Sequence, residues 1–350
     1  MNKDFWKEKK VLLTGHTGFK GGWLSLWLKI LGAEVRGLAL EPSAKPNLFE
    51  AADIVNAVYS SIGNIQNINF VQKNIEEFMP DIVFHMAAQP LVNYSYANPV
   101  ETYKTNIMGT INLLETIRNC LKTKVIINIT TDKCYENKEW FWGYREDEAM
   151  GGVDPYSSSK ASSEIISSAY RRSYFNNMGI ALATVRAGNV IGGGDWTTGR
   201  LVPDIISAFS KNEPVIIRNP TFVRPWQHVL EPLSGYLMLA EKLWEEPIVF
   251  SEAWNFGPND NDAKPVSWIV EKLVEKWGNN AKWAQDKGFN HHEAGYLKLD
   301  ISKAKQKLNW FPKWHLDCAL DKVIDWHRAW EAGESMQLIC LKQIDEYTFS

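Results

Sequence analysis

Tyr156 and Lys160 are the residues whose types and spacing most directly suggest chemistry. Side chains four positions apart on a helix lie on one face. A nearby ammonium stabilises a phenolate, so we expect Lys160 to lower the pKa of Tyr156 towards neutral pH. Such a tyrosine can take a proton from a substrate hydroxyl while hydride leaves the same carbon. Because the spacing also arises by chance on helices, the interpretation needs a cofactor site beside the pair.

Three further candidates, Thr131, Asp132 and Lys133, follow an apolar, β-rich run. If that run is a strand of a doubly wound sheet, they lie at its carboxyl edge, where ligands bind. Thr131 can hydrogen-bond a substrate hydroxyl, and the other two supply an acid and a potential base. An Asp-Lys pair after a strand is also an ordinary solvated turn, and the pair alone leaves both interpretations open.

A glycine-rich loop provides the expected cofactor site. Thr14–Gly21 reads TGHTGFKG, with glycines in the spacing G-x-x-G-x-x-G between a predicted strand and a predicted helix. Glycines let the backbone turn tightly against a pyrophosphate, and the helix N-terminus adds free N–H groups and a positive dipole end. The predicted cofactor-binding residues of this loop are Gly15, Thr17, Gly18, Phe19 and Lys20.

The ends of the next predicted strands add cofactor candidates. Glu41 can accept hydrogen bonds from an adenosine ribose and would repel a 2′-phosphate, which favours NAD over NADP, although an exposed acid at a strand end is common. Asn64 and Ile65 stand where the adenine is expected, or form only a turn. Ala87 and Ala88 are small enough for a cofactor to approach the sheet edge, as small core residues also are.

Short β-rich runs alternate with amphipathic runs in the first half of the chain. This alternation predicts βαβ units and a Rossmann-type, doubly wound parallel sheet in an α/β fold. The predicted strands are Lys10–Thr14, Glu34–Leu40, Asp81–Ala87, Lys124–Thr130 and Ala181–Arg186, and the predicted helices are Gly22–Leu31, Thr102–Arg118 and Ser157–Arg172.

The alternation ends near Asn189, which predicts a second, smaller region. A glycine triplet opens a loop-rich stretch there, with a strand-like piece at Pro214–Arg218 and helical patterns further on. We expect residues 1–188 to form the NAD-binding domain, with residues 226–256 returning to it. Residues 189–225 and 257–350 are expected to form the substrate-binding domain.

Composition excludes several classes of protein. The 350 residues carry a net charge of -3, which does not favour nonspecific nucleic-acid binding. No secretory signal or membrane-length apolar run is visible, so we expect a cytoplasmic protein without membrane contact. The cysteines lack metal-ligand spacing, so no metal site is predicted; they are Cys120, Cys134, Cys318 and Cys340.

Long blocks of sequence resemble the extended short-chain dehydrogenase/reductase family, in its nucleotide-sugar branch. The blocks cover nearly the whole chain and are TGHTGFKGGWL, HMAAQPLV, ITTDKCYENKEWFWGYREDEAMGG, DPYSSSK, VRAGNVIGGGDW, RPWQHVLEPLSGYL and WNFGPND. Within this branch they are most similar to sugar 4,6-dehydratases. The resemblance implies NAD as cofactor and CDP-glucose as substrate, in the synthesis of deoxyhexoses such as those of lipopolysaccharide.

The resemblance also implies a reaction with assigned residues. The hexose is oxidised at C4, loses water across C5 and C6, and is reduced at C6. Tyr156 would be the base at the C4 hydroxyl, and Lys160 would lower its pKa and hold the nicotinamide ribose. Thr131 would orient the C4 oxygen, Asp132 would protonate the leaving C6 hydroxyl, and Lys133 would take the C5 proton. A glutamate replaces Lys133 in dTDP-glucose dehydratases, so this lysine distinguishes the CDP-glucose prediction.

The expected substrate-binding residues come from the same blocks. They are Gln89, Asn189, Arg200, Arg224 and Tyr296, where the arginines would meet the diphosphate or be ordinary surface residues. Two positions depart from the family pattern, with Asn64 in place of an aspartate and Asn93 in place of an arginine. A homo-oligomer, dimer or tetramer, paired through the helices near Thr102 and Ser157, is also implied.

Three alternative functions remain open from sequence. A nucleotide-sugar 4-epimerase on the same fold would need Thr131, Tyr156 and Lys160 but would not use Asp132 or Lys133. A dehydratase for another nucleotide sugar is the second alternative. A cofactor-sensing protein without catalysis is a third possibility, against which the intact set of acid and base residues argues.

Overall fold

A seven-stranded parallel sheet forms the centre of the fold. The computed structural model describes residues 2–120, 122–278, 281–286, 288 and 294–350. Within these residues the strand order is β10-β6-β5-β4-β1-β2-β3. The strands are β1 (Lys10–Thr14), β2 (Glu34–Ala39), β3 (Tyr59–Ile62), β4 (Ile82–His85), β5 (Val125–Ile129), β6 (Ala181–Ala187), β7 (Asn189–Ile191), β8 (Val215–Ile217), β9 (Val223–His228), β10 (Ala253–Phe256), β11 (Ala263–Pro265) and β12 (Trp283–Gln285).

Helices cover both faces of this sheet and continue to the end of the chain. They are α1 (Lys3–Trp6), α2 (Phe19–Ile30), α3 (Leu48–Ala51), α4 (Ile54–Ala57), α5 (Ile68–Phe78), α6 (Val92–Ala97), α7 (Pro99–Tyr103), α8 (Gly109–Arg118), α9 (Pro155–Tyr170), α10 (Asn176–Met178), α11 (Leu201–Ser210), α12 (Leu230–Glu245), α13 (Pro247–Phe250), α14 (Val266–Trp277), α15 (Ser302–Leu308), α16 (Leu316–Glu331) and α17 (Met336–Phe349). The predicted α/β doubly wound fold is therefore confirmed.

The central strands are apolar on both faces because both faces are covered. All residues of β4, β5 and β6 are buried, and separate apolar clusters pack on the two sides of the sheet. Strands buried on two faces lack the alternation of half-exposed strands. This explains why continuous runs such as VIINI marked the sheet correctly in the sequence.

The helix predicted over residues 102–118 has three parts. It starts earlier, at Pro99, and a π-helical turn at Lys104–Met108 joins α7 to α8. Asn106 in this turn accepts a hydrogen bond from the Gln89 backbone N–H and donates to Ser159. The irregular turn therefore ties the loop after β4 to α9, as π-turns often do near functional sites.

The later part of the chain builds two small sheets and its own apolar cluster. Strands β11, β9 and β7 form one sheet, and β12 pairs with β8 in the other. Strand β10 joins the large sheet beside β6, and α17 packs on α2. The division into NAD-binding and substrate-binding domains stays a prediction. No helix of the described residues combines the length and apolarity that a membrane crossing requires.

Candidate active site

A cleft of about 380 Å³ opens at the carboxyl edge of the large sheet. One part of its wall comes from the ends of the sheet strands and from α9, and the other from residues of the second region. The five predicted catalytic residues all line it: Thr131, Asp132, Lys133, Tyr156 and Lys160. The volume falls within the range of small-molecule sites, roughly 300–1,000 Å³.

The start of α9 fixes the position of Tyr156. Asp154 caps the helix by accepting the Ser157 backbone N–H at 2.9 Å, and Pro155 occupies the first helical position. The backbone N–H of Tyr156 donates to Ser95 Oγ at 3.2 Å. Tyr156 also hydrogen-bonds Thr131, which brings the two expected partners of one substrate oxygen together.

The expected lowering of the Tyr156 pKa is wrong for this structure. Burial raises the pKa of Tyr156 to about 12, while the hydrogen bond with Thr131 opposes the rise. Lys160 instead donates from Nζ to the Ile129 carbonyl at 2.9 Å. Burial also lowers the pKa of Lys160 to about 8. Loss of hydration disfavours the charged form of both groups, and it is the largest cause of both shifts.

Asp132 and Lys133 lie in a single 3-10 turn, Asp132–Cys134, directly after β5. Thr131 begins this turn, and its hydroxyl accepts the Lys133 backbone N–H at 3.4 Å. The Asp132 side chain is 1% exposed, and its Oδ1 lies 3.8 Å from Lys133 Nζ. Oδ2 of Asp132 has no hydrogen-bond partner among the described residues. Asp132 lines the cleft, and an unpaired carboxylate oxygen on such a residue is a candidate for proton exchange with a ligand.

The glycine loop fits a dinucleotide pyrophosphate. Gly15 has φ +81°, and a Cβ there would lie 2.9 Å from the Ala87 nitrogen. A Cβ on Gly21 would lie 2.1 Å from the Gly15 carbonyl oxygen. Gly18 caps α2 without a side-chain bond, and its own Cβ position meets only the Gly15 oxygen at 3.4 Å. The loop thus packs tightly on its protein side and leaves the helix N-terminus open to an anion.

Two side chains of this loop region face the cleft. Phe19 and Lys20, at the start of α2, belong to its lining. Burial lowers the pKa of Lys20 to about 7, and the charges of Lys160 and Arg200 lower it further while Asp132 opposes them. Thr17 instead donates to the Leu40 carbonyl at 2.9 Å and so joins the loop to the end of β2.

The remaining cofactor candidates differ in their surroundings. Glu41 is exposed just beyond β2, and exposed Asn64 accepts the Gln66 backbone N–H at 2.9 Å. Ile65 is buried. The Ala87 backbone N–H donates to Thr14 Oγ1 at 3.0 Å, whereas Ala88 lines the cleft. Asn64 thus has a local turn-forming bond, and the cofactor roles of this group stay predictions.

Three of the five expected substrate-binding residues line the cleft. Asn189 does so with a buried Oδ1 that has no partner among the described residues. Arg200 pairs with Asp195 at 3.0 Å, and Arg224 is buried.

Gln89 and Tyr296 do not belong to the lining. The Gln89 amide is used within its own loop, where Nε2 donates to Thr102 Oγ1 at 2.9 Å and Oε1 accepts the Leu91 N–H at 2.6 Å. Tyr296 lies against Phe141, with ring centroids 5.9 Å apart. Among the described residues, no group of three or more His, Cys, Asp or Glu could hold a metal ion.

Sequence reasoning missed two features of the site. The first is Arg218, which comes directly after β8 and lines the cleft. Its place at the end of a predicted strand in the expected substrate region could have suggested that it binds substrate. The second feature is a buried ion pair of Glu164 and Arg186, joined at 2.9 Å through Nε and Oε1. Glu164 is four residues beyond Lys160, so the spacing Y-x-x-x-K-x-x-x-E was visible, but its partner on β6 was not.

The parallel sheet, the glycine loop and the paired tyrosine and lysine define the extended short-chain dehydrogenase/reductase class. The chain belongs to the GDP-mannose 4,6 dehydratase family, whose model matches residues 12–323.

Similar proteins agree with this assignment. A CDP-glucose 4,6-dehydratase from Salmonella typhimurium is 54% identical over 353 residues, which cover 99% of this chain and 98% of the relative. A dTDP-glucose 4,6-dehydratase from Haemophilus influenzae is 25% identical over 91% of this chain and 97% of its own. Among solved structures, the UDP-glucose 4-epimerase of Thermotoga maritima has a TM-score of 0.80 at 24% identity, covering 91% of this chain and 98% of the other, and supports the fold alone.

Proposed function

We propose that this protein catalyses the NAD-dependent dehydration of CDP-glucose to CDP-4-dehydro-6-deoxyglucose, as a hydro-lyase. The observation that carries the proposal is the presence of Asp132 and Lys133 beside Tyr156 in one cleft. The 54% identity to a CDP-glucose 4,6-dehydratase supports the choice of substrate.

The glycine loop and the strand ends after it would hold NAD. Gly15 and Gly18 would face the pyrophosphate, Glu41 the adenosine ribose, and Lys160 the nicotinamide ribose. When bound, NAD would supply the hydride acceptor for oxidation at C4 and the hydride donor for reduction at C6. The fit of the loop to a pyrophosphate supports this site, because its backbone leaves the N-terminus of α2 open.

Proton transfers fall to side chains of this chain. Tyr156 Oη takes the proton of the C4 hydroxyl, whose oxygen Thr131 orients. The resulting C4 ketone acidifies the C5 hydrogen, so elimination becomes accessible only after oxidation. Lys133 Nζ then takes the C5 proton, and Asp132 protonates the C6 hydroxyl, which leaves as water. When C6 is reduced, the Lys133 ammonium returns a proton to C5, and in deuterated buffer this proton is a deuteron. The separation of 3.8 Å between Asp132 and Lys133 suits two groups that act on adjacent carbons.

A single incubation tests this function. Purified protein is given CDP-glucose and NAD in deuterated buffer, and the sugar is analysed by mass spectrometry and NMR. We expect loss of one water and deuterium at C5. A sugar of unchanged mass with inverted C4 would contradict the dehydratase and support a 4-epimerase. Absence of turnover of CDP-, dTDP-, UDP- and GDP-sugars would support a cofactor-binding protein without catalysis.

We further propose that the enzyme acts in the cytoplasm as a homo-oligomer. Its cysteines are free thiols, which suits a reducing compartment. Exposed apolar side chains on the helices expected to pair, Val100 on α7 and Ile165 on α9, support self-association.

A further inference from the structure

We propose that Arg218 recognises the nucleobase of the substrate by donating hydrogen bonds to adjacent acceptors on the edge of cytosine. This inference rests on the proposed function, since it assumes a nucleoside diphosphate hexose in the cleft. It assigns base specificity to a residue outside the catalytic group.

The two ends of the cleft are expected to hold different parts of the substrate, the nucleobase at one end and the reacting hexose at the other. Tyr156 and Lys133 lie where the cleft meets the large sheet, so the hexose must lie there. The second region closes the cleft with the end of β8, Phe222 and Val266. A nucleotide sugar has its base and its hexose at opposite ends of the diphosphate. The base is therefore expected at the part of the cleft that the second region forms.

Three arginines line the cleft, and they are not equivalent. Arg200 forms an ion pair with Asp195 at 3.0 Å. Arg224 is 5% exposed and donates from Nη1 to the Val223 carbonyl at 3.0 Å, with its guanidinium 5.2 Å from the Phe222 ring centroid. These two cations are held by protein contacts in positions that can meet a diphosphate.

Arg218 differs because its donors are not occupied by any group of the residues that the structure describes. Among the described residues, it has no carboxylate within 4.0 Å and no hydrogen-bond acceptor. The Asp204 carboxylate on α11 is close enough for the Arg218 charge to act on it, without forming an ion pair. A half-buried guanidinium with free donors inside a ligand cleft is suited to a polar group of the ligand.

The surroundings of Arg218 suit a flat aromatic ligand. The side chains of Val215, Ile216, Phe222 and Val266 line the same part of the cleft and are apolar. A nucleobase has two apolar faces and a polar edge, so it can pack between such side chains while its edge meets the guanidinium.

The donor pattern of Arg218 selects among pyrimidines. A guanidinium carries only donors, in a planar fork that matches two adjacent acceptors. Cytosine presents O2 and N3 as adjacent acceptors. Uracil and thymine carry a hydrogen on N3, which would face a donor of Arg218 and leave both groups unpaired. An unpaired buried donor is costly, so the same side chain both favours cytosine and rejects the other two.

Binding of CDP and UDP tests this assignment without relying on turnover. We would measure both dissociation constants by isothermal titration calorimetry for the wild type, Arg218→Met and Arg218→Lys. Bidentate base contacts discriminate by about 10- to 100-fold. We therefore expect Arg218→Met to lower the ratio of CDP to UDP affinity by about that factor, because CDP binds more weakly while UDP binds as well as before or more tightly. Lysine should restore part of the affinity but little of the selectivity, because it lacks the planar fork.

Two outcomes would overturn the assignment. An equal loss for CDP and UDP would place Arg218 on the diphosphate, and unchanged binding of both would remove it from the nucleotide site. Arg172→Met, at an exposed arginine outside the cleft lining, is the matched control, and melting temperatures verify folding. Turnover of CDP-glucose by the wild type is measured separately. Absence of turnover would contradict the proposed function. The ratio of the CDP and UDP dissociation constants would still test the role of Arg218.

Discussion

At the scale of single residues, the site depends on desolvation as much as on charge. Tyr156 and Lys160 were found by spacing, but burial raises the pKa of the phenol to about 12 and lowers that of the ammonium to about 8. A neutral phenol bonded to Thr131 is therefore the ground state at neutral pH. Tyr156 must lose its proton to act as a base, so charge brought by ligands has to favour the phenolate.

The proposed division of roles between oxidation and elimination can be tested at Asp132 and Lys133. The variant Asp132→Asn with Lys133→Met keeps both side-chain sizes but removes the acid and the base. We expect NAD binding and C4 oxidation to persist while elimination stops, because Tyr156 and Lys160 are unchanged. Absorbance of reduced nicotinamide should accumulate, and deuterium should not enter C5.

The control for this variant is Asp260→Asn with Lys298→Met. These residues form a 2.7 Å ion pair outside the cleft lining, and its loss should leave product formation unchanged. Normal turnover by the Asp132 and Lys133 variant would contradict the roles proposed for that pair.

At the scale of elements, the Glu164–Arg186 pair clamps the turn Asp132–Cys134 between β5, β6 and α9. Glu164 accepts the Thr184 hydroxyl at 2.6 Å and also the hydroxyl of Thr130, just before the turn. Arg186 donates to Tyr135, just after the turn, at 2.7 Å. The residues from Thr131 to Cys134 are thus fixed at both ends by one buried ion pair. Its carboxylate also favours the charged form of Lys160, against the effect of burial.

Breaking this clamp should affect catalysis beyond its effect on stability. We expect Glu164→Gln to cost about 3–5 kcal/mol of unfolding free energy, because Arg186 is left buried without its counter-charge. The double variant Glu164→Leu with Arg186→Met should regain much of the melting temperature. We expect kcat to stay low, because Thr130 and Tyr135 each lose their hydrogen bond to the ion pair. Recovery of both quantities would show that the pair is structural only. Glu76→Gln, at an exposed position on α5, is the control.

At the scale of the whole molecule, buried histidines make stability depend on pH. Burial lowers the pKa of His85 and His228 to about 3 and that of His16 and His327 to about 4. Between these values and about 6.5, the unfolded chain binds protons that the native state does not, so stability falls as pH falls. Each histidine contributes about 1.4 kcal/mol per pH unit in this window.

Thermal unfolding at a series of pH values measures this effect. We expect the melting temperature to drop steeply below pH 6. The variant His327→Gln should make the melting temperature depend less steeply on pH. The control is His315→Gln, whose side chain is 75% exposed and should leave the slope unchanged. Equal slopes for the wild type and His327→Gln would contradict the assignment of neutral buried histidines.

Self-association can be tested on the same scale. Ile165 on α9 is 60% exposed and Val100 on α7 is 64% exposed, on two helices that pack against each other. A charge at the centre of an apolar interface is costly, so Ile165→Glu should lower the molar mass measured by light scattering. Ile248→Glu, at a residue that is 86% exposed on α13, should not change the mass. A monomeric wild type would contradict the proposed oligomer.

The sequence by itself determined five of the seven strands of the large sheet, the glycine loop and the catalytic candidates. Parallel strands covered on both faces must be apolar throughout, and the tight turn at Gly15 requires glycine, so both leave local patterns. The turn Asp132–Cys134 comes soon after β5, which ends at Ile129, so the strand assignment also predicted the place of Asp132 and Lys133 at the sheet edge.

Only the tertiary structure decided which candidates share the cleft and how burial shifts the pKa values of Tyr156 and Lys160. The Gln89 amide is hydrogen-bonded outside the cleft, whereas Arg218 lines the cleft from the second region. The burial that raises the pKa of Tyr156 comes from the packing of several elements. The ion pair of Glu164 with Arg186 likewise joins residues of two different elements. Burial and long-range pairing arise from packing between elements, and no local spacing encodes them. Tyr156 and Lys160 could be recognised from their neighbours, but their charge state could not.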